Sequence, residues 1–195
     1  MRVTDRMEMA DADGDGGTGG TGWLVLIYRV PPEPTRLRST VWRRIKSLGA
    51  IYLQNSVAAL PASPVAERSL RKLRREILDM SGTAVLLSAT VLAGEAEVHN
   101  AFQAARNDEY EEIVDKCEDF LGQVQKEYDE NHFTYAELEE NEVDLLKLRN
   151  WFAKVVERDA FGADGRAATE RALEACEQVL EAYAARVYAE EGEGE

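Results

Sequence analysis

The spacing of hydrophobic residues along this sequence changes once, near residue 93. Before that point short apolar runs alternate with amphipathic stretches, and beyond it the apolar residues recur every three or four positions. The first apolar run covers residues 23–30, as is typical of a strand that is central in its sheet, and Pro31, Pro32 and Pro34 end it. The pattern therefore predicts a domain of strands and helices followed by a helical domain.

Two amphipathic helices are predicted in the first domain. One begins after Thr35, a candidate N-cap, and ends at Gly49. The other begins at Ser63 and Pro64 and ends at Gly82, because proline is favoured in the first helical turn and glycine just past the last. Each helix carries one apolar stripe, so each should pack one side on a sheet.

The remaining strands of this domain follow from the residues around these helices. Residues 50–60 are too long and too polar in the middle for one strand, so they are predicted as two strands, 50–54 and 56–60, joined at Asn55. A last strand covers residues 83–92. The resulting βαββαβ order is the ferredoxin-like arrangement, and the predicted fold class is α+β.

Residues 94–190 are predicted to form three amphipathic helices. The first has a candidate interruption near Asn107, and the second opens with a capping box formed by Thr134 and Glu137. Helices of this length pack as an antiparallel bundle or lie against the open face of the sheet, and the sequence leaves both arrangements open.

The two ends of the chain lack a hydrophobic period. Residues 1–22 are rich in Gly, Asp and Thr and are predicted to be a disordered leader, and residues 191–195 a disordered tail. Asp11, Asp13 and Asp15 imitate the start of a calcium loop, but glycine stands where the closing acid should be, at Gly22. We therefore interpret the aspartates as solvated low-complexity sequence.

Positive and negative charges are segregated along the chain. Residues 23–93 carry eleven Lys/Arg against four Asp/Glu, a net charge of +7, whereas residues 94–195 carry a net charge of −18. The chain as a whole has a net charge of −14, which by itself argues against binding to a phosphate backbone. The positive charge of the first predicted domain makes binding to a phosphate backbone plausible for this domain alone.

The basic residues of the two predicted helices lie away from the apolar stripes. Because both helices of a ferredoxin-like fold pack on the same sheet face, their outer sides should form one surface that binds nucleic acid. Two other interpretations remain open: pairing with the acidic helices, within one chain or between subunits, and a solvated face without a role. The predicted nucleic-acid-binding residues are Arg36, Arg38, Arg43, Arg44, Lys46, Arg68, Arg71, Lys72 and Arg75.

Three arginines around the proline-rich loop are candidates for an oxyanion pocket. Arg29 ends the first strand, and Arg36 and Arg38 follow the loop. Guanidinium groups and helix N-termini suit tetrahedral dianions such as chromate or sulfate. The alternative is that Arg29 pairs with Glu33 or with an acid of the helical domain.

The sequence offers little for catalysis or for a metal. Acids at three- and four-residue spacing share a helix face in residues 137–144, near His132, but neither His132 nor His99 follows a glutamate by three positions, as bundle di-metal sites require. A solvated acidic face is favoured. No Ser/His/Asp or Cys/His constellation and no phosphate loop is found. The chain is therefore predicted to be no enzyme, with no cofactor and no metal.

Cysteine usage and hydropathy indicate a cytoplasmic location. Cys117 and Cys176 lie far apart in the sequence, each on the apolar face of a predicted helix, and are interpreted as reduced core residues. No apolar run is long enough to span a membrane, and the N-terminus lacks the apolar core of a signal peptide.

Two sequence blocks resemble the N-terminal region of the chromate-resistance regulator family ChrB. They are YRVPPEPTRLRSTVWRRIKSLGAIYLQNSVAALP (residues 28–61) and FTYAELEENEVDLLKLRNWFAKVVERDAFGA (residues 133–163), and the resemblance covers roughly residues 23–190. It implies a part in sensing chromate and in controlling efflux genes through DNA. Members of that family typically carry a further C-terminal domain, which is expected to be missing from this chain.

A more distant resemblance is to Cas2 and to the Cas2-like module of PaaX-type repressors. It rests on the apolar first strand ending in Tyr28, on the basic helix, and on the segment Gln54-Asn55-Ser56-Val57. Where those proteins place a metal-binding aspartate, this chain has Arg29, and a guanidinium cannot ligate a cation. The resemblance implies a homodimer and makes metal-dependent nuclease chemistry the weakest hypothesis.

Taken with these resemblances, the residues predict a DNA-binding transcriptional regulator that responds to an oxyanion such as chromate. The alternative is a non-enzymatic module for protein interaction or dimerisation, in which the basic helices dock on acidic helices.

Overall fold

The computed structural model describes residues 22–192. Residues 1–21 of the predicted leader, with Asp11, Asp13 and Asp15, and residues 193–195 of the predicted tail lie outside the described residues. The final helix is assigned as far as Gly192.

Four antiparallel strands form one sheet, with β1 (Trp23–Arg29), β2 (Ile51–Gln54), β3 (Val57–Pro61) and β4 (Thr83–Ala89) in the order β2-β3-β1-β4. Helix α1 (Arg36–Ser47) connects β1 to β2, and α2 (Pro64–Asp79) connects β3 to β4. The α+β class and the ferredoxin-like strand order are confirmed. Two of the four strands, β2 and β4, are edge strands.

The turn between β2 and β3 differs slightly from its prediction. Ser56 adopts φ 64°, a left-handed conformation, so it belongs to the turn with Asn55 and β3 begins one residue later than expected. The pairing of the two strands also shifts register between Tyr52 and Gln54. Such a shift is a local irregularity of the kind found at sheet edges.

The two faces of the sheet are covered differently. Side chains alternate along a strand, so Leu24 and Leu26 of β1 point to one face and Trp23 and Ile27 to the other. Leu26 is fully buried in one core with residues of α1 and α2, among them Val41, Ile45, Leu70 and Ile77. Burial of a side chain of this size contributes about 1.5–3 kcal/mol. This packing fixes both helices on one face of the sheet.

The two helices of this domain begin differently. The side chain of Ser63 accepts a hydrogen bond from the Ala66 backbone N–H at 3.1 Å, as an N-cap should, and Pro64 follows it. Thr35 was predicted to cap α1, and this prediction is wrong. Its backbone is helical (φ −51°, ψ −30°) and its side chain makes no capping bond, while the Leu37 N–H donates to the carbonyl of Pro34 at 3.0 Å.

Three helices, α3 (Glu95–Glu130), α4 (Tyr135–Arg158) and α5 (Arg166–Gly192), pack against one another as a bundle with its own core. The predicted interruption near Asn107 is absent: α3 is continuous, and the Asn107 side chain instead accepts a hydrogen bond from the Gly165 N–H at 2.9 Å. The predicted cap at Thr134 is present, since its hydroxyl oxygen accepts from the Glu137 N–H at 3.3 Å. Among residues 22–192, no helix is long and apolar enough to cross a membrane.

The bundle also covers part of the open sheet face, so both predicted packings occur in one molecule. Phe102 of α3 lies edge-on to Trp23 at 6.1 Å and to Phe161 at 5.3 Å between ring centroids. Beyond these rings the sheet face is open. Ile27 and Leu87 are each 43% exposed and Val85 is 55% exposed.

A buried ionic network lies where the bundle meets the segment that leads into β2. Arg106 of α3 is 3% exposed and donates from Nη1 to the Gly49 carbonyl at 2.8 Å. Its Nε lies 3.1 Å from Glu109 Oε2 as an ion pair without hydrogen-bond alignment, and Arg158 of α4 pairs with Glu109 at 2.9 Å. Burial lowers the pKa of Arg106, and the Glu109 carboxylate opposes this effect.

Both cysteines are free and fully buried between α3 and α5, as predicted. The Cys176 thiol donates to the carbonyl of Cys117, with 3.6 Å between sulfur and oxygen. Burial raises the pKa of the Cys117 thiol, and raises that of Cys176 to about 12. Because the thiolate is the reactive form, both side chains should resist oxidation and alkylation in the folded protein.

We expect the free energy of unfolding to fall as the pH rises from about 9 towards about 12. In this range the unfolded chain releases the Cys176 proton while the folded chain keeps it, so stability decreases by about 1.4 kcal/mol per pH unit for this thiol. Tyr183, whose pKa burial raises to about 12, acts in the same direction. Urea unfolding at a series of pH values measures the slope, which should be shallower in a Cys176→Ala variant. A stability independent of pH above 9 would contradict this account.

Candidate nucleic-acid interface

Helices α1 and α2 place their outer sides on one continuous surface. They lie next to each other on the same sheet face, and Arg44 of α1 pairs with Glu76 of α2 at 3.4 Å. The buried apolar residues of the two helices, Val41 and Ile45 of α1 and Leu70, Leu73 and Ile77 of α2, face the sheet, and the basic residues lie on the exposed sides together with Trp42, Val65 and Leu78. The amphipathic pattern of the two sequences thus generates the surface directly.

The nine predicted nucleic-acid-binding residues are all exposed on these two helices. We refer to them together as the basic surface: Arg36, Arg38, Arg43, Arg44, Lys46, Arg68, Arg71, Lys72 and Arg75.

Two of the nine pair with an acid of their own domain. Arg71 contacts Glu67, one turn earlier in α2, at 2.7 Å, and Arg44 contacts Glu76. Exposed pairs of this kind are worth about 0–1 kcal/mol and leave the guanidinium accessible to a competing anion. Over residues 22–192, the other seven form no ion pair, and none of the nine pairs with an acid of α3, α4 or α5.

Over residues 22–192, those acids of the bundle that form ion pairs do so with bases of the bundle. Lys116 contacts Asp119 at 2.8 Å and Lys147 contacts Asp144 at 2.7 Å, while Arg149 joins Glu177 on the neighbouring helix at 3.2 Å. The acidic run of α4 is largely exposed to solvent. In the part of the chain that the structure describes, no group of three or more His, Cys, Asp or Glu residues could hold a metal ion.

The predicted oxyanion residues lie at the C-terminal end of β1 and the start of α1. Arg29, Arg36 and Arg38 are exposed, and within the described ranges none of them forms an ion pair, including the alternative pair of Arg29 with Glu33. Tyr28, the residue before Arg29, points to the opposite face from Arg29, the face that it shares with Leu24 and Leu26, and its hydroxyl lies 3.0 Å from that of Tyr52. No shared contact brings the three arginines together in this structure.

One arginine outside the predicted set has a defined position. The Nε of Arg74 donates to the Ala84 carbonyl of β4 at 3.1 Å, which holds the guanidinium beside the edge of the sheet. Arg71, Arg74 and Arg75 line a cleft of about 900 Å³ between α2 and β4. The sequence signal was the spacing of these arginines along α2, but periodicity alone does not reveal that their side of the helix faces an edge strand.

Comparison with known proteins gives two matches. The model of a protein family described as "Protein ChrB, N-terminal" matches residues 38–194. A curated relative, "Protein ChrB" of Cupriavidus metallidurans (strain CH34), is 29% identical over 92 residues. That alignment covers 47% of this chain and 28% of the relative, so the chain matches well under two thirds of the relative's length.

Proposed function

This chain belongs to the ChrB N-terminal family, and from this premise we propose that it is a regulatory protein of the chromate-resistance type that binds DNA through the basic surface. The proposed role is that of a non-enzymatic transcriptional regulator in the cytoplasm. The ligand of the basic surface in this proposal is the phosphate backbone of duplex DNA.

The observation that carries this proposal is the orientation of the basic surface. Over residues 22–192, seven of its nine cations have no ion-pair partner, and none of the nine pairs with an acid of the bundle. Cations held on one face of a rigid scaffold neutralise phosphates and release the counterions condensed on DNA. The chain's net charge of −14 does not prevent this, because charges beyond about 10 Å are largely screened at physiological salt.

We propose that the oxyanion acts near Arg29, Arg36 and Arg38. These residues are exposed and unpaired within the described part of the chain, and planar guanidinium groups form bidentate bonds to tetrahedral anions. Because Arg36 and Arg38 also belong to the basic surface, a bound dianion would reduce the positive charge offered to DNA. Chromate added to the DNA complex, with sulfate as the matched control, tests this response.

A second candidate function is that of a dimerisation module. The observation in its favour is the open part of the sheet face, where Ile27, Val85 and Leu87 are exposed beside the edge strand β4. Exposed apolar patches next to a free edge are common at protein interfaces. Sedimentation of the wild-type chain and of a Val85→Lys variant distinguishes a dimer formed through this face from a monomer.

Binding to duplex DNA tests the main proposal. We expect the variant Arg43→Glu/Arg68→Glu/Lys72→Glu to bind at least roughly 100-fold more weakly than the wild type at low salt, because three exposed cations are reversed. Fluorescence anisotropy with a labelled duplex measures the affinity.

The matched control for this experiment carries the same change of charge on the bundle. Lys147→Glu/Arg149→Glu/Arg171→Glu reverses three exposed cations of α4 and α5. This control should bind DNA within a few-fold of the wild type. Equal losses in both variants would show that only net charge matters and would refute binding through the basic surface.

A further inference from the structure

Strand β4 presents an unpaired backbone edge to the cleft beside α2. Among residues 22–192 it pairs with β1 alone, and four of its consecutive residues, 85–88, line the cleft together with residues of α2. An edge strand of this kind can accept a strand from another chain, because its outer N–H and C=O groups can form a new ladder.

The register of β1 shows which groups of β4 face the open edge. The Tyr28 N–H donates to the Ser56 carbonyl at 3.0 Å, so the backbone groups of Tyr28 point away from β4. Its partner in β4, Ala84, therefore belongs to a non-hydrogen-bonded pair and directs its own N–H and C=O groups away from β1. Because these directions alternate along a strand, Leu86 and Ser88 also present their backbone groups to the edge, and both line the cleft.

The wall of the cleft that α2 forms is basic. Arg71, Arg74 and Arg75 line it with a single acid, Glu67, which pairs with Arg71 at 2.7 Å. Arg74 is held there because its Nε donates to the outward Ala84 carbonyl at 3.1 Å. Within the described residues, neither Arg74 nor Arg75 forms an ion pair. Guanidinium groups on this wall favour an occupant that carries carboxylates.

The two faces of the sheet edge require an alternating pattern in the occupant. In an added strand, side chains opposite Leu86 and Ser88 would point to the side of α2 and its arginines. Side chains opposite Val85 and Leu87 would point to the other face, where both of these residues are exposed. A segment in which acidic residues alternate with apolar ones therefore complements both faces at once.

A second copy of this chain does not complement the edge. Two β4 strands paired antiparallel about a twofold axis would place both α2 helices on the same side of the joined sheet. The arginines of one copy would then face those of the other across the new seam, and like charges repel. The charge of the cleft therefore favours an acidic partner over self-association.

We propose that the cleft between α2 and β4 binds an extended segment of a partner protein, in which acidic residues alternate with apolar ones, as a strand added to the sheet edge. The backbone of the segment pairs with Leu86 and Ser88, and its carboxylates pair with Arg71, Arg74 and Arg75. The bound segment covers Arg71 and Arg75 of the basic surface and so competes with DNA. This last consequence rests on the proposed function, whereas binding of the segment does not.

Binding of a synthetic peptide to the full-length chain without DNA tests the proposal. The probe is a labelled peptide in which glutamate and valine alternate, and fluorescence anisotropy measures its affinity. We expect Arg71→Glu/Arg75→Glu to weaken binding at least about tenfold, because two cations of the cleft are reversed. The matched control, Arg43→Glu/Lys72→Glu, makes the same change of charge outside the cleft and should bind within a few-fold of the wild type.

N-methylation of the peptide distinguishes an added strand from attraction between charges alone. The N–H groups of a strand alternate between its two edges, so methylation of all glutamates or of all valines removes the donors of one edge only. We expect one of the two methylated peptides to bind at least about tenfold more weakly, because it has lost the donors that face β4. The other should bind like the unmodified peptide.

Any of three results would overturn the proposal. One is a peptide that does not bind, or that the cleft variant and the control variant weaken equally. Another is an equal effect of the two N-methylations, which would show that charge alone holds the peptide. The third is sedimentation of the chain alone as a dimer that the peptide converts to monomers, because a second copy would then occupy the edge of β4.

Discussion

Replacing Glu109 with glutamine should lower the free energy of unfolding by about 3–5 kcal/mol, the cost of leaving a buried charge without its partner. The Glu109 carboxylate lies between two guanidinium groups, 3.1 Å from Arg106 Nε and 2.9 Å from Arg158 Nη2. Glutamine keeps the shape and removes the charge, so two cations then face each other at the junction of the sheet and the bundle. Denaturant unfolding measures the loss.

The double variant Arg106→Met/Glu109→Gln separates this mechanism from a simple loss of packing. Removal of both charges should leave the protein more stable than Glu109→Gln alone, because the buried guanidinium that had lost its partner is gone. Glu112→Gln, an exposed change on the same helix, is the control and should have little effect. A double variant with a free energy of unfolding equal to or lower than that of Glu109→Gln would contradict this account, because the loss could then not be assigned to an unpaired buried charge.

The second large effect is expected at Gly82, between α2 and β4. A Cβ at this position would lie 2.6 Å from the Arg29 carbonyl oxygen and 2.9 Å from that of Ile77. Both atoms belong to the backbone and cannot rotate away. We expect Gly82→Ala to destabilise the protein by about 3 kcal/mol, at the upper end for an overpacked site.

Gly122 of α3 is the matched control for this substitution. A Cβ there meets no atom within 4 Å, and the residue lies in a helix. Gly122→Ala should therefore raise stability by about 0.5–1 kcal/mol, because alanine is the better helix former. A lower melting temperature for Gly82→Ala and a higher one for Gly122→Ala, measured in one thermal unfolding series, would support the close approach of β1 to the end of α2. A neutral Gly82→Ala would contradict it.

The order of strands and helices could be predicted from the sequence because each element of the first domain carries its own period and its own ends. Ser63 and Pro64 mark the start of α2 in any context, and the structure places them there. The Thr35 side chain does not cap α1. The Leu37 N–H of the first turn, which such a cap could have bound, donates to the carbonyl of Pro34 instead. Local chemistry predicts an end reliably only when no neighbouring backbone group competes for the same bond.

The junction between the domains could be predicted only in part. Arg106 lies four residues after Phe102 and four before Tyr110, both fully buried, so helical spacing alone places it inside. Its partners, the Gly49 carbonyl and Glu109, depend on how the bundle meets the sheet, which no local pattern encodes. The same holds for the cleft beside β4, where the basic side of α2 was visible in the sequence and the edge strand next to it was not.

The residues of the basic surface, unlike the contacts at the junction, could be predicted from the sequence. The structure adds that none of them forms an ion pair with an acid of the bundle over residues 22–192. Arg43, Arg68 and Lys72 were predicted from their positions opposite the apolar stripes, and they are exposed without an ion pair over residues 22–192. Sequence patterns could not decide between an external anion and the chain's own acids, because both bind the same cations. The packing of the bundle decides which acids are within reach.

The dependence of DNA affinity on salt tests the central claim most directly. The logarithm of the binding constant should fall linearly with the logarithm of the salt concentration, with a slope of about −0.9 for each phosphate contact. Arg43→Ala and Lys72→Ala should each make this slope shallower by about one, and Lys147→Ala on the bundle should leave it unchanged. A wild-type affinity that does not change with salt, or a slope that the first two substitutions leave as it was, would contradict binding of a phosphate backbone by the outer sides of α1 and α2.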